Sequence, residues 1–313
     1  MRIFLAGATG ALGRRLVPML TAHGHTVIGS TRSADKADAV RALGAEPAVM
    51  DALDRTSVLA AVQAAKPDVV VHQLTALSGP TNLRKFDQTF AETNRLRTEG
   101  TEHLMEAARA AGAHRFVAQS FTGWPNERTG GPVKTETDPI DPHPTSASRQ
   151  TIAAIRHLET TVPAAADLAG VVLRYGAFYG PGTHLGTDGE LITMIRKRQF
   201  PVVAGGTGVW SFIHIDDAAA ATALAVESDV TGLYNIVDDD PAPVRDWLPY
   251  LAAAIGARPP RRLPAWLARP MIGEHGIAAM TTIRGSSNAK AKRDLGWRPG
   301  YPSWRQGFRA GLG

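Results

Sequence analysis

The feature that most constrains this chain is a glycine-rich segment, Gly7-Ala8-Thr9-Gly10-Ala11-Leu12-Gly13, which follows an apolar run and opens an amphipathic one. In the spacing G-x-x-G-x-x-G, the first glycine allows a tight strand-to-helix turn and the second lets backbone N–H groups approach a pyrophosphate. The third allows the helix to pack closely on the strand, and the N-terminus of that helix favours negative charge. The segment therefore predicts a dinucleotide-binding turn formed by Gly7, Thr9, Gly10, Ala11, Leu12 and Gly13. The alternative is a tight turn without a ligand.

Short apolar segments alternate with longer amphipathic ones over the first 175 residues. The apolar segments are rich in Val, Ile, Phe or Leu and are bounded by Gly, Pro, Asp or His, which is typical of strands. We predict strands at 2–6, 26–31, 46–50, 68–73, 115–120 and 170–175, and helices at about 11–22, 34–43, 55–65, 83–111 and 146–162. Ser33 and Asp54 are predicted N-caps, and Gly44 and Gly112 are predicted C-caps. This alternation predicts an α/β fold with a doubly wound parallel sheet, Rossmann-like in architecture.

The regular alternation is lost after Tyr175, where Pro and Trp become frequent. We expect a dinucleotide-binding domain over residues 1–175 and a smaller, mainly substrate-side domain over residues 176–313. A strand near 233–237 is expected to return to the main sheet. Residues 121–145, rich in Pro, Gly and Thr, are predicted to form a long loop that serves as a lid or mobile segment.

Composition excludes several classes of protein and of site. The 313 residues contain no cysteine, so disulfides, thiol nucleophiles and thiolate metal sites are excluded, and no His-His-carboxylate spacing predicts a metal site. The apolar N-terminal run is interrupted at Gly7, and no apolar run approaches 18 residues. We therefore expect neither a signal peptide nor a membrane span, and a cytoplasmic location.

Charge is unevenly distributed along the chain. Residues 256–313 carry 11 basic and 2 acidic residues, a net charge of +9, whereas the remainder has a net charge of −4. The basic residues are dispersed among Pro, Gly and Trp, so we do not expect a nucleic-acid partner. They either face an anionic small substrate or form an ordinary solvated surface.

The second predicted strand ends without an acidic residue. Thr31 is followed by Arg32, and Lys36 lies one turn later. A carboxylate here would bind the ribose 2′-hydroxyl of NAD, whereas a guanidinium suits the 2′-phosphate of NADP. NADP is therefore the predicted cofactor and NAD the less favoured one. The alternative for Arg32 is a charge on a solvent-exposed loop.

Motifs along nearly the whole chain resemble the extended short-chain dehydrogenase/reductase superfamily, of the NAD(P)-dependent epimerase/dehydratase type. Besides the glycine-rich segment, they lie at residues 50–54, 67–76, 92–94, 100–102, 173–182, 212–218 and 295–299. The resemblance implies that Asp51 accepts a hydrogen bond from the adenine amino group and that Ala52 and Leu53 line the adenine pocket. It also implies that Leu74, Thr75, Ala76, Ser120, Tyr175, Gly176 and Phe178 lie along the ribose and nicotinamide. A helix cap for Asp51 and core packing for Tyr175 and Phe178 are the alternatives.

The chain departs from that family at the Tyr-x-x-x-Lys pair, which transfers a proton to or from the substrate oxygen. No tyrosine precedes the sixth predicted strand and no lysine lies between Lys134 and Lys197, so the pair is absent. An alignment on Glu159 places Thr151 and Ile155 at the two positions, whereas the distance from Ser120 places Thr145 and Arg149 there. The remaining catalytic candidates are Ser120, Thr122, Arg149 and Tyr179. For Tyr179 the alternative is core packing.

Two functions remain open from the sequence. The first is an NADP-dependent oxidoreductase or epimerase/dehydratase-type enzyme that acts on a carbonyl or hydroxyl of a small substrate. Tyr179 and Arg284 would bind that substrate, with Arg284 contacting an anionic group if one is present. The second is a redox-silent NADP-binding protein, either a cofactor sensor or a non-redox lyase or isomerase. The expected partners are a small-molecule substrate and, through the helices at 83–111 and 146–162, a second copy in a homodimer.

Overall fold

The computed structural model describes residues 1–77 and 82–313. The longer strands are β1 Arg2–Ala6, β2 Thr26–Thr31, β3 Glu46–Val49, β4 Val69–His72, β5 Arg115–Phe121, β7 Ala169–Tyr175 and β12 Gly232–Ile236. Shorter strands are β6 Val133–Lys134, β8 Ala177–Tyr179, β9 Val202–Val203, β10 Val209–Trp210, β11 Phe212–His214, β13 Ala242–Pro243, β14 Arg262–Leu263 and β15 Gly285–Ser286.

The α-helices cover both faces of the sheet and build the C-terminal part. They are α1 Gly13–Ala22, α2 Ala37–Ala42, α3 Arg55–Ala65, α4 Phe86–Thr89, α5 Ala91–Arg95, α6 Thr101–Ala110 and α7 Arg149–Thr161. The later ones are α8 Glu190–Arg196, α9 Ile215–Glu227, α10 Val244–Ala254, α11 Ala265–Thr281, α12 Ala289–Asp294 and α13 Trp304–Ala310. Within the described residues, no helix is long and apolar enough to cross a bilayer.

The long strands form one seven-stranded sheet in the order β12-β7-β5-β4-β1-β2-β3. Every pairing within it is parallel. The order reverses at β1, from which the chain runs outward first through β2 and β3 and then, on the other side, through β4 and β5. The predicted doubly wound, Rossmann-like α/β fold is therefore confirmed. Strand β12 pairs with β7 and forms one edge of the sheet.

Alternating residues of the strands bury two different cores, one on each face of the sheet. In β1, Ile3 and Leu5 pack with α1 and α9, whereas Phe4 and Ala6 pack with α3 and α6. This alternation follows from the period-two geometry of a strand, and both faces are apolar because helices cover both. A third core, built around Trp247, Trp304 and other aromatic side chains, lies in the C-terminal part.

The four predicted cap residues all lie at helix ends. Asp54 accepts hydrogen bonds from the backbone N–H of Thr56, at 2.9 Å, and of Ser57, which confirms it as the N-cap of α3. Gly44 and Gly112 have φ of +95° and +78°, a conformation that favours glycine at a helix end. Ser33 precedes a 3₁₀ turn, and its side chain makes no capping hydrogen bond there. Ser33 is therefore the N-cap residue of that turn by position and backbone conformation (φ −139°, ψ +146°), as predicted, but without a side-chain cap.

The helix predicted at 83–111 is not continuous. It is divided into a 3₁₀ turn, α4, α5, a π-helical turn over Leu96–Gly100 and α6. Leu96 and Arg97 in the π turn are both buried. A single inserted turn does not interrupt the apolar periodicity of the sequence, so the pattern predicted one straight element.

The loop predicted at 121–145 contains ordered structure. Strand β6 pairs in parallel with β15, and Asn126 forms an isolated bridge with Ile140. A two-residue strand whose partner lies near the C-terminus leaves no periodic signal in the sequence. The segment is therefore joined to the C-terminal part of the chain by backbone hydrogen bonds.

We expect buried His72 to make the protein sensitive to acid. Its Nε2 donates to the carbonyl of Leu96 at 3.1 Å, and burial lowers its pKa from 6.5 to about 4. The pKa of His72 is lower in the folded protein than in the unfolded chain. Below pH 6.5 the unfolded chain therefore gains a proton that the folded protein does not bind, and the free energy of unfolding decreases as the pH falls towards 4. The loss from His72 is on the order of 3 kcal/mol, since each pKa unit corresponds to roughly 1.4 kcal/mol.

The measurement is the free energy of unfolding by denaturant, for the wild type and for His72→Asn, at neutral pH and near pH 4. The variant is expected to be less stable at neutral pH and to lose less stability on acidification. His143→Asn, which changes an exposed histidine, serves as control and should behave like the wild type. Equal acid losses in His72→Asn and the wild type would contradict the assignment.

Candidate active site

The glycine-rich turn has the geometry of a phosphate cradle. Gly7 has φ of +104°, and a Cβ built on it would lie 2.8 Å from the carbonyl oxygen of Gln73. A Cβ on Gly13 would lie 2.3 Å from the carbonyl oxygen of Gly7. Gly10 and Ala11 are exposed at the approach to the N-terminus of α1, so their backbone is open to a ligand. These residues fit a dinucleotide pyrophosphate.

The adenosine end of the predicted site lies beyond β2 and β3. Arg32 is 72% exposed and its guanidinium donates to the Glu92 carboxylate at 2.7 Å, while Lys36 is exposed nearby in sequence. Asp51 Oδ1 accepts from the backbone N–H of Leu53 at 3.0 Å, so this carboxylate stabilises a turn. Thr31 and Ala52 are buried, and Leu53 is half-buried. Asp51 does not cap α3, because Asp54 does.

The nicotinamide end would lie beyond β4, β5 and β7. Thr75 is exposed there. The Leu74 carbonyl accepts a hydrogen bond from Gln119 Nε2 at 3.0 Å, and the Ala76 N–H donates to Thr93 Oγ1 at 3.0 Å. Gly176 leaves no room for a side chain, since a Cβ would lie 2.7 Å from the carbonyl oxygen of Ser211.

Tyr175 is a core residue. Its hydroxyl accepts from Gln73 Nε2 at 3.1 Å and shares a hydrogen bond with Thr222 Oγ1 at 2.7 Å. Phe178, half-buried, packs beside it with ring centroids 5.2 Å apart. The side chain of Tyr175 is 1% exposed, and burial raises the pKa of its hydroxyl. The expectation of a cofactor contact through this side chain is corrected to core packing, because the ring is enclosed by protein.

Two of the catalytic candidates are enclosed by protein. Ser120 Oγ donates to Glu159 Oε1 at 2.6 Å, and Glu159 forms a buried ion pair with Arg174. Tyr179 is fully buried against Phe308 and His214, and burial raises the pKa of its hydroxyl. The expectations that Ser120 contacts substrate or cofactor and that Tyr179 donates a proton or binds substrate are therefore corrected. Both side chains are directed into the protein interior.

The other predicted residues lie in different surroundings. Arg149 is an exposed residue at the first turn of α7. Arg284 is half-buried and donates from Nε to the carbonyl of Arg128 at 2.9 Å. Thr122 is also buried, at 2% exposed, but it borders a pocket, and its hydroxyl is hydrogen-bonded to Ser286 Oγ at 2.6 Å and to Asn126 Oδ1 at 3.2 Å. Of the four catalytic candidates, Thr122 is the one on the pocket wall.

The two alignments proposed for the missing Tyr-x-x-x-Lys pair give different environments. Thr151 is buried, donates to Asp87 Oδ1 at 2.6 Å and accepts from Asn94 Nδ2 at 3.0 Å. Ile155 is buried in the apolar interior. In the other alignment, Thr145 is hydrogen-bonded to Ser148 at 2.8 Å and is also buried. Neither alignment places a free proton donor of the family's type.

The pocket lies beside the carboxyl ends of β5 and β7 and has a volume of about 280 Å³. Ligands of open α/β sheets bind at this edge. Its lining is largely apolar and aromatic and comes from six parts of the chain: Phe86, Phe121, Thr122, Trp124, Ala177, Leu191, Met194, Phe200, Trp210, His275, Met280 and Ile283. No sequence pattern marks its aromatic members, because they lie far apart along the chain and come together only in three dimensions.

The sequence profile of the NAD dependent epimerase/dehydratase family matches residues 3–237. The chain belongs to this family. Its members are enzymes that bind a nicotinamide cofactor, which agrees with the glycine turn. The resemblance noted from the sequence is thereby confirmed, as is the assignment of the chain as an enzyme of the oxidoreductase and epimerase type.

Named relatives include both reductases and an epimerase. The chain is 49% identical over 316 residues to 3-diazoavenalumate denitrifying reductase of Streptomyces sp, covering 98% of this chain and 99% of the relative. It is 30% identical to a 4-hydroxy-2-methyl-3-oxo-4-farnesyl-3,4-dihydroquinoline-1-oxide ketoreductase of Stigmatella aurantiaca, covering 82% and 74%. The crystal structure of a Thermus thermophilus UDP-glucose 4-epimerase in complex with NAD matches with a TM-score of 0.74 at 25% identity, covering 100% and 98%.

We expect Gly13→Ala to weaken binding of NADPH and NADH by about tenfold or more, because the added methyl group forces Gly7 and α1 apart. Calorimetric titration measures the affinity, and circular dichroism checks that the variant is folded. Gly131→Ala is the matched control, since its Cβ would meet no atom closer than 4.0 Å. A folded Gly13→Ala protein with wild-type affinity would contradict this role of the turn.

Proposed function

We propose that this enzyme removes the diazo group of an aromatic substrate reductively and releases dinitrogen. The observation that carries the proposal is a largely apolar, aromatic pocket at the cofactor edge of the sheet without the Tyr-x-x-x-Lys proton-transfer pair. The 49% identical relative, similar over almost its full length, is named for a denitrifying reduction of a diazo compound.

The chemistry of this reaction explains why the pair is dispensable. Reduction of a ketone produces an alkoxide, which requires a proton from an acid in the site. Replacement of a diazonium group by hydride forms one C–H bond and breaks one C–N bond, whose electron pair leaves with dinitrogen. The product is a neutral arene, and no proton is transferred. Bound reduced nicotinamide supplies the hydride.

The pocket residues would orient the ring and exclude water. Trp124, Phe121 and Trp210 offer flat apolar surfaces that suit an aromatic substrate. Water attacks arenediazonium ions, so an enclosed apolar site also protects the substrate from hydrolysis. Thr122 has its hydroxyl bonded to Ser286 and Asn126, which positions the wall without requiring it to donate a proton to the substrate.

A second candidate function is reduction of an aromatic ketone. Thr122 favours it, because it is a residue of the pocket wall that carries a hydroxyl. The ketoreductase relative also supports this alternative. A cofactor sensor without activity has no such support among the named relatives.

The deciding experiment measures turnover of two substrates. A diazo derivative of 4-hydroxycinnamate tests the first candidate, and the ketone 4-hydroxyacetophenone tests the second. With deuterated cofactor and ¹⁵N-labelled substrate, we expect one dinitrogen per cofactor oxidised and deuterium on the ring carbon that carried nitrogen. The rate should be nearly independent of pH between about 6 and 8, since no acid acts in the step. Thr122→Val should retain diazo reduction within about threefold, because no proton is required from it.

Turnover of the ketone with a rate that falls as the pH rises, together with no dinitrogen release, would instead support the second candidate. Loss of ketone reduction in Thr122→Val would then assign the proton-side contact to Thr122. Absence of turnover with both substrates would reject both candidates.

We further propose NADP as the preferred cofactor. Supporting this are the exposed Arg32 and Lys36 beyond β2 and the absence of a carboxylate at the end of that strand. Arg32 Nη1 donates to Glu92 Oε1 at 2.7 Å. A 2′-phosphate would therefore compete with the Glu92 carboxylate for the Arg32 guanidinium. The pair is exposed, so the ion pair itself is weak and exchangeable.

We expect Arg32→Ala to raise the Kd of NADPH by about tenfold and to leave the Kd of NADH nearly unchanged, because only NADPH carries the 2′-phosphate. Calorimetry with each cofactor gives both values. Arg41→Ala is the control, since Arg41 is an exposed arginine of α2 paired with Asp38 and lies outside the predicted site. Equal effects on the two cofactors, or none, would reject the role of Arg32.

Three further features stay proposals. We propose that Arg284 and the basic C-terminal segment favour a substrate with an anionic group. We also propose a homodimer formed through α4–α6 and α7, and a cytoplasmic location. Size-exclusion chromatography with light scattering tests the dimer.

A further inference from the structure

The two most exposed large apolar side chains of the described residues lie on the same helix, α11. Trp266 is 75% exposed and Met271 is 65% exposed, and Leu267 beside them is 44% exposed. The other exposed large apolar side chains come from separate parts of the chain. Single apolar side chains on a surface are ordinary, whereas a group of them marks an interaction surface.

The first two turns of α11 form a separate amphipathic segment. The helix is interrupted at Gly273, which has φ of +67°. Before it, Ala268 and Ile272 lie four residues apart and pack against the third core. The remaining sides of the segment, with Trp266 and Met271, are exposed. The segment therefore lies along the surface of the protein and presents apolar side chains outward.

Basic side chains lie next to this segment, on three adjacent parts of the chain. Strand β9 pairs in parallel with β14 and also contacts α11. Arg198, two residues beyond α8, donates from Nε to the carbonyl of Pro259 at 3.1 Å. The end of α8, the segment that leads into β14 and the start of α11 are therefore neighbours. The basic residues that they carry, all exposed or partly exposed, are Arg196, Lys197, Arg198, Arg258, Arg261, Arg262 and Arg269.

The charge of these seven residues is not neutralised by nearby acids. None of the seven forms an ion pair in the part of the chain that the structure describes. Residues 191–215 and 247–273 contain no Asp or Glu, and Glu274 is the one carboxylate in the groove that Trp266 and Arg269 line. The surface is therefore positive and suits an anionic partner. None of the seven residues lines the pocket.

We propose that these seven basic residues, together with Trp266, Leu267 and Met271, form a face that docks on the surface of an anionic phospholipid bilayer. We call it the basic–apolar face. The apolar side chains enter the boundary between headgroups and acyl chains, where tryptophan is favoured, and the basic ones contact lipid phosphates. The protein lies on the membrane without crossing it. The inference does not rest on the proposed reaction.

The combination of charge and apolar side chains favours a bilayer over two other partners. A nucleic acid would use the arginines, but it would gain little from Leu267 and Met271. A second copy of the chain in a symmetric dimer would bring the same positive face against itself, which is unfavourable. A bilayer that contains anionic lipids offers both phosphates and an apolar layer beneath them.

The test is sedimentation of the full-length protein with lipid vesicles. We expect at least about tenfold stronger binding to vesicles of about 70% phosphatidylcholine and 30% phosphatidylglycerol than to phosphatidylcholine alone. Raising the NaCl concentration from about 0.05 to 0.5 M should weaken that binding at least about tenfold, because salt screens the charges. Arg261→Glu/Arg262→Glu and Trp266→Ser/Met271→Ser should each lower it by about tenfold or more.

Matched controls change the same properties elsewhere on the surface. Arg41→Glu/Arg109→Glu alters the net charge by the same amount at two exposed arginines, and Val49→Ser removes an apolar side chain that is 52% exposed. Both should bind vesicles as the wild type does. The thermal midpoint of each variant shows that it is folded.

A second measurement locates Trp266 directly. Lipids brominated in the acyl chain should quench part of the tryptophan fluorescence of the bound wild type, because Trp266 lies in the bilayer. The other five tryptophans are buried or half-buried. Trp266→Phe, which keeps an apolar side chain, should still bind the vesicles but lose this quenching.

Equal binding of the wild type to both kinds of vesicle, or binding to neither, would overturn the inference. Vesicle binding that is unchanged in the two double variants, or equally reduced in the controls, would also overturn it. Without vesicle binding, self-association that Trp266→Ser/Met271→Ser abolishes in light scattering would assign the face to a second copy. Binding of a DNA duplex that Arg261→Glu/Arg262→Glu abolishes would then assign it to nucleic acid.

Discussion

The buried ion pair between Glu159 and Arg174 joins the elements at the edge of the sheet that carries the candidate active site. Arg174 Nε donates to Glu159 Oε1 at 2.9 Å, and the same oxygen accepts from Ser120. These contacts join α7 to β7 and β5, the two strands whose carboxyl ends border the pocket. Removing one partner of such a pair leaves an uncompensated buried charge, at a cost of about 3–5 kcal/mol. The position of this part of the pocket wall therefore depends on the Glu159–Arg174 ion pair.

This arrangement changes the meaning of the missing catalytic pair. The helix that would carry Tyr-x-x-x-Lys is present and docked, but Thr151 is tied to Asp87 and Ile155 is packed in the interior. What lies beside that edge in the described part of the chain is a largely apolar, aromatic surface. Such a surface suits a reaction that takes up hydride and releases a neutral leaving group, and it suits ketone reduction less well because the Tyr-x-x-x-Lys pair is missing from the sequence.

The pocket also brings together parts of the chain that are far apart in sequence. Phe86 comes from the segment that follows β4, Trp124 from the segment after β5, and His275 from α11. The parallel pairing of β6 with β15 fastens the segment after β5 to the C-terminal part, and Asn126 adds hydrogen bonds to the same strand. The wall of the pocket is therefore built by tertiary contacts, and no spacing in the sequence indicates which residues form it.

The sequence by itself determined the doubly wound sheet, the ends of its long strands to within one residue, and the glycine turn. Local rules are sufficient there, because strand periodicity, helix caps and the steric need for Gly7 and Gly13 act over a few residues. Only the tertiary structure decided the fate of the candidate side chains. Ser120, Tyr175 and Tyr179 have the same residue types that an active site would use, but Glu159, Thr222 and the aromatic core around Phe308 enclose them. Burial and choice of partner depend on residues distant in the chain, and no local pattern encodes them.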